Sequence, residues 1–266
     1  MPGAAVVCIK WGRVFGPEYV NRLYSGVRRH LPALSRFACM TEHAEGLHPD
    51  IEVLPLPREP FQEEMDAALA VANRQGAMRK VSLFRPGALP GHAGAILGFD
   101  LDVVITGDLT PIWETAPGKV AMRADWVEAR RGRTTGHGSV FRFDPERHPW
   151  LYADLAADPG GEVARARGSE QRYTSLKAQH HDAFAWLDPR HVVSFKHDCL
   201  GLPPVNWLRP ARLPDDARVV CFHGRPKMPD AVAGWSGSLL RHTRPVPWLK
   251  EHWIDASRAD LGPAWG

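Results

Sequence analysis

The chain has 266 residues, enough for one large domain or two small ones. Its 33 Lys and Arg against 30 Asp and Glu leave a formal charge of only +3, with the signs mixed along the sequence, which argues against a dedicated nucleic-acid binder. A hydrophobic content of 44% with 24% charged residues excludes wholesale disorder, and no apolar run reaches the ~20 residues that a membrane-spanning helix needs.

The first hundred residues alternate strand and helix signals. Ala4-Ala-Val-Val-Cys-Ile9 is a continuous apolar run of the kind a buried parallel strand produces. Pro17 opens a helical pattern through Val20, Leu23, Tyr24, Val27 and Leu31, and Pro32 ends it. Residues 36–40 and 51–56 read as strands, 61–73 and 78–84 as helix, and 95–99 and 103–105 as two apolar blocks. Beyond Asp125 the pattern loosens. Residues 130–138 read as an exposed basic loop, 139–143 as a strand, 169–179 as a helix behind a Ser cap, and 218–222 as a last strand. A Trp- and Pro-rich tail from Pro229 is expected to wrap the surface. The alternation predicts an α/β fold in one domain, with a mainly parallel sheet, helices on both faces and a mixed C-terminal half. Cys8, Cys39, Cys199 and Cys221 are dispersed without a C-x-x-C pair, and no signal-peptide core develops at the start. A cytoplasmic protein with buried free thiols is expected.

The most informative stretch is Gly94-Ala-Ile-Leu-Gly-Phe-Asp100-Leu-Asp102-Val-Val-Ile105. In extended geometry alternate side chains share a face, so Asp100 and Asp102 can point the same way. Two like charges at the carboxyl edge of a parallel sheet repel unless a cation sits between them, and that edge is where open α/β sheets bind ligands. A solvated turn would carry the same tripeptide. The apolar walls on both sides favour a hard divalent ion with room for phosphate oxygens. A second signal is Val219-Val-Cys-Phe-His223-Gly224-Arg-Pro-Lys227. Here a strand ends at a candidate nitrogen ligand, a glycine admits close backbone approach, and Arg225 and Lys227 can reach phosphate oxygens.

Together these residues resemble the GT-A glycosyltransferases, of the glycogenin and lipopolysaccharide galactosyltransferase type (family GT8). Ile9-Lys10-Trp-Gly12 with Tyr19-Val-Asn21, and Lys80-Val-Ser-Leu-Phe84, resemble bacterial members of that group. The resemblance implies a GT-A fold with a nucleotide-binding half (1–125), an acceptor and sugar half (126–228) and a C-terminal tail (229–266). It implies that Asp100, Asp102 and His223 hold Mn²⁺ or Mg²⁺ against the diphosphate of a nucleotide sugar, with Asp102 also near the ribose. By the same likeness Lys227 and Gly224 meet the diphosphate, Lys80 faces the donor, and Lys10 and Tyr19 belong to the nucleotide site, Tyr19 near the base. Gly138-Ser-Val-Phe would line the sugar pocket, and Glu170-Gln171 would stand for the Asp-Gln pair beside the reacting centre. Two departures stand out: the His-to-Lys interval is shorter than in glycogenin-like enzymes, and Glu170 replaces an aspartate.

The activity so implied is metal-dependent transfer of a sugar, by family habit from a UDP-sugar and with retention, to a saccharide, lipid-linked or protein acceptor. Trp186 and Trp207 are candidates to border an acceptor groove. A nucleotidyltransferase is the first alternative, but Lys10-Trp-Gly12-Arg13 is a poor version of its Gly-rich loop. A non-catalytic nucleotide-sugar-binding module is the second, and it would bind without turnover.

Overall fold

A computed structural model of the chain describes residues 3–237 and 239–255. In chain order it forms β1 (Ala4–Lys10), α1 (Pro17–His30), β2 (Leu34–Thr41), β3 (Glu52–Pro55), α2 (Gln62–Val71), a 3₁₀ turn (Arg79–Phe84), β4 (Ile96–Phe99), β5 (Val103–Ile105), α3 (Thr110–Trp113), β6 (Val120–Ala124) and α4 (Trp126–Arg130). There follow β7 (Gly136–Phe143), α5 (Trp150–Ala157), α6 (Pro159–Ala166), α7 (Glu170–His180), β8 (Phe184–Trp186), β9 (Val192–Ser194), α8 (Val205–Leu208), β10 (Val219–Cys221), α9 (Met228–Ala233) and α10 (Leu249–His252).

The central sheet has seven strands in the order β3-β2-β1-β4-β7-β6-β8, and β7 alone runs against the rest. The predicted α/β fold with a mainly parallel sheet is what forms. β1 is buried on both faces, which is why it reads as an unbroken apolar run. Ala4, Val6 and Cys8 pack with Val20, Leu23 and Val27 of α1, while Ala5 and Val7 belong to the opposite core with Met65 and Leu69 of α2. A second, three-stranded sheet has the order β5-β10-β9. Gly26 lets α1 settle onto it, since a side chain there would stand 3.0 Å from the Ile105 Cβ.

The β4–β5 connection carries the acid pair from one sheet to the other. The step is a turn at Leu101–Asp102 and not the extended segment expected; Leu101 is buried in the core, and Asp100 and Asp102 line the cavity. Backbone bonds clamp both ends of the step: Asp100 N donates to Ser139 O of β7 at 3.0 Å, and Phe222 N donates to Asp102 O at 2.8 Å. Just upstream, Gly98 lies under the Phe141 ring, where an added Cβ would come within 2.2 Å of the ring. Gly98→Ala is therefore expected to cost about 1–3 kcal/mol through overpacking, read as a lowered urea midpoint at unchanged slope.

Three expectations are corrected. Residues 136–138 belong to β7 rather than to the basic loop, because Gly136 and His137 pair with Ala124 and Arg123 of β6. Residues 79–84 form a 3₁₀ turn rather than a regular helix. The tail does not merely wrap the surface: Val246, Leu249 and Trp253 are buried against Val104, Val220 and Phe222. Its last residues, 256–266, lie outside the described residues. All four cysteines are buried and free.

Candidate active site

A cavity of about 520 Å³ opens at the carboxyl ends of β1 and β4. Ile9, Trp11, Val14 and Phe15, following β1, form one wall, and Gly76–Lys80 form another. Asp100, Leu101, Asp102, Glu170 and Lys227 complete the lining.

Lys80 is the hub. Its ammonium is 2.7 Å from Asp100 Oδ1 and 3.6 Å from Glu170 Oε1, and it donates to Gly138 O at 2.7 Å. Its backbone N–H donates to Glu170 Oε2 at 2.8 Å. Only 18% of this side chain is exposed. Burial works against the ammonium, yet the charges of Asp100 and Glu170 outweigh it and hold its pKa up at about 12. The other oxygen of Asp100 accepts from Ser139 Oγ at 2.9 Å. Burial would raise the Asp100 carboxyl, but Lys80 beside it wins and holds it below its ordinary range. For Asp102 the balance reverses: burial and then the charge of Asp100 push its carboxyl up, although Lys227 bonds to its Oδ2. Lys227 also donates to Phe222 O at 3.0 Å.

Glu170 opens α7, and burial raises its carboxyl against the pull of Lys80. Gln171, one residue on, accepts from Gly138 N and donates to Asp125 Oδ2, both at 3.1 Å. Asp125 is the N-cap of α4, accepting from the Val127 and Glu128 amides. Glu170, Gln171, Lys80 and Gly138 thus form one connected group. Gly138 lies on the inner side of Lys80, in a narrow crevice with Phe84 and Phe141.

Other expected site residues lie elsewhere. Lys10 does not line the cavity. Strand alternation turns it to the face opposite Ile9 and Trp11, where it is 4% exposed and reaches His43 O at 3.3 Å. Tyr19, in the first turn of α1, packs edge-on against Phe15 and Trp253 instead of facing the cavity. Gly224 takes the left-handed turn conformation at φ 75°, outside the cavity lining, where an added Cβ would stand 3.0 Å from Lys196 Nζ. Trp186 packs edge-on against Phe184, and Trp207 stacks on His242.

The expected ligand set of Asp100, Asp102 and His223 is not assembled. His223 Nε2 is 2.8 Å from Ser194 Oγ, and its ring stacks on Trp126 at 5.2 Å and on His197 at 5.7 Å. Among the described residues, no group of three His, Cys, Asp or Glu side chains is arranged to hold a metal ion. The two carboxylates do suit one. They are hard oxygen donors on one cavity wall, and the Asp102 carboxyl, raised by burial and then by the charge of Asp100, is a group that a bound cation would favour in its ionised form.

The imidazoles nearby make their own prediction. Burial lowers the pKa of His137 to about 4 and that of His223 to about 3, against an ordinary value of about 6.5. Below that ordinary value the unfolded chain takes up protons that the folded one refuses. The stabilisation is therefore complete above pH ~6.5 and is lost as the pH falls towards 4. His223→Phe keeps a ring against Trp126 and removes one titrating group. Its melting temperature should fall less steeply between pH 6.5 and 4.5 than that of the unaltered protein, whereas parallel slopes would contradict the assignment.

Sequence reading missed Trp11, Phe15 and Arg79. Trp11 is 45% exposed on the cavity wall, with Arg79 stationed 6.0 Å from its ring. Its signal was available, because it directly follows a buried parallel strand at the edge where ligands bind.

No family model matches the chain, and no curated protein matches it in sequence. Solved structures do resemble it. The galactosyltransferase LgtC, determined in complex with donor and acceptor sugar analogs, is 15% identical, with a TM-score of 0.57 over 84% of this chain and 88% of that one. The glycosyltransferase GlyE of Streptococcus pneumoniae TIGR4 is 13% identical, with a TM-score of 0.54 over 85% of this chain and 56% of its own. The chain therefore has the GT-A fold of these glycosyltransferases. No helix among the described residues is long and apolar enough to cross a membrane.

Proposed function

We propose that the protein is a glycosyltransferase that moves a sugar from a nucleoside diphosphate sugar, by fold analogy a UDP-sugar, to an acceptor hydroxyl with retention of anomeric configuration. The observation that carries this reading is that Lys80, Lys227, Asp100 and Asp102 meet in one cavity whose outer wall is an exposed tryptophan. The fold shared with two glycosyltransferases supports the same conclusion.

Transfer breaks the bond between the anomeric carbon and a phosphate oxygen, so negative charge grows on the leaving diphosphate while the sugar becomes cationic. Lys227 stands at the cavity wall to take part of that charge, and Lys80, fully charged at neutral pH, sustains the local positive potential. Asp100 and Asp102 would hold Mn²⁺ or Mg²⁺, which when bound would act as a Lewis acid on the diphosphate. With retention, the leaving phosphate oxygen accepts the acceptor's proton, and Glu170 and Gln171 position the sugar rather than act as bases. Trp11 offers a π-face to the nucleobase.

The test is release of nucleoside diphosphate from a panel of UDP-, GDP- and ADP-sugars with and without Mn²⁺. Turnover of at least one donor is expected; neither turnover nor thermal stabilisation with any donor or diphosphate would overturn the reading. Trp11→Ala is expected to weaken diphosphate binding about tenfold, because a stacked base is worth ~1–3 kcal/mol, with catalysis at saturation little changed. Calorimetric titration of the variant checks this.

A further inference from the structure

On the other side of the first turn of α7 lies a groove of about 320 Å³. Glu170 lines the donor cavity, whereas Gln171 and Asp125 line the groove, so one helical turn divides the two. Four arginines border it: Arg74, Arg133, Arg167 and Arg172. They arrive from the segment after α2, the basic loop, the α6–α7 link and α7 itself.

The two acids of the groove are already occupied. Asp125 Oδ1 accepts two backbone amides and Oδ2 accepts from Gln171. Glu128 is held by Arg131 at 3.3 Å and by Arg133 at 2.6 Å. That leaves the guanidiniums of Arg74, Arg167 and Arg172 with no carboxylate among the described residues. Arg172 Nε is moreover shielded from water with no acceptor. Gly168, at φ 64°, makes the convergence possible, because a side chain there would strike the Arg74 stem at 2.7 Å. Three cations that border one groove without a carboxylate partner favour an anion there, and planar N–H forks are the groups that match phosphate oxygens.

We propose that this groove is the acceptor site and that it recognises a phosphate group on the acceptor, placing a neighbouring hydroxyl at Gln171. The proposal rests on the glycosyl-transfer reading for the word acceptor, but the phosphate site stands on its own geometry. A dianionic phosphate, rather than a single carboxylate, matches three unpaired guanidiniums. The phosphate can belong to a phosphorylated sugar or to a lipid carrier.

The experiment is calorimetric titration at low salt with glucose 6-phosphate, geranyl phosphate, glucuronic acid and glucose. Either phosphate is expected to bind at least about tenfold more tightly than glucose and glucuronic acid, and the phosphate that binds identifies its source. The double variant R74A/R167A, altered at two exposed positions, is expected to lose that preference while UDP binding is unchanged. R167E alone serves as a second variant with the same expectation. No preference for phosphate, equal binding of glucuronic acid, or a preference that survives both variants would overturn the proposal. Failure of UDP to bind would count against the donor reading alone, since the phosphate comparison does not depend on it.

Discussion

Lys80→Met is expected to destabilise the fold by about 3–5 kcal/mol and to reduce donor turnover about a thousandfold. The ammonium touches Asp100, Glu170 and the Gly138 carbonyl, joining the acid pair, the start of α7 and β7 through one atom. Methionine fills much the same volume but leaves two partly buried carboxyls without the cation they share, and at neutral pH their repulsion favours taking up a proton or opening the structure. Urea unfolding reads the first effect and release of nucleoside diphosphate reads the second. Stability within about 1 kcal/mol of the unaltered protein, with turnover retained, would show that Lys80 is not the hub described here.

Asp102→Asn is expected to separate stability from activity. The Asp102 carboxyl is raised by burial and by Asp100, so ionising it at neutral pH costs the folded state energy that the unfolded chain does not spend. An amide removes the charge and still accepts from Lys227. The variant should therefore be as stable as the unaltered protein at pH 7, or more so by up to about 1 kcal/mol. The gain should vanish below about pH 4, where the aspartate is itself protonated. Turnover should fall about a hundredfold to a thousandfold, because a negative charge facing the leaving diphosphate's cation is lost. Thermal unfolding at pH 7 and pH 4, beside a donor assay, measures both. Marked loss of stability at pH 7 would contradict the electrostatic account, and unchanged turnover the functional one.

Much of the site could be read from the sequence because the relevant physics is local. A continuous apolar run marks β1, and the apolar blocks on either side of Asp100-Leu-Asp102 mark it as a step between two buried strands, although that step is a turn and not the extended segment expected. Lys227 is legible from its place just beyond a strand that ends in His-Gly, Lys80 only through the resemblance, and both line the cavity. What failed depended on tertiary context. Ile9 and Lys10 are neighbours on opposite faces of β1, and only the packing of the helices decides which face looks into the cavity. His223 ends its strand as expected, yet the orientation of its ring is set by Trp126 and Ser194, which lie 97 and 29 positions away. The reversal of β7 was equally hidden, since an apolar strand with both faces covered reads the same in either direction.

The central claim is that one cavity, between Trp11 and the Asp100–Asp102 step, binds a nucleoside diphosphate. Isothermal titration of UDP, GDP and ADP into the protein with and without Mn²⁺, repeated on Lys227→Ala, tests it most directly. The account predicts one site that is strengthened by the ion and weakened about tenfold or more by the substitution. Absence of binding by every diphosphate, or binding indifferent to both Mn²⁺ and Lys227, would contradict it.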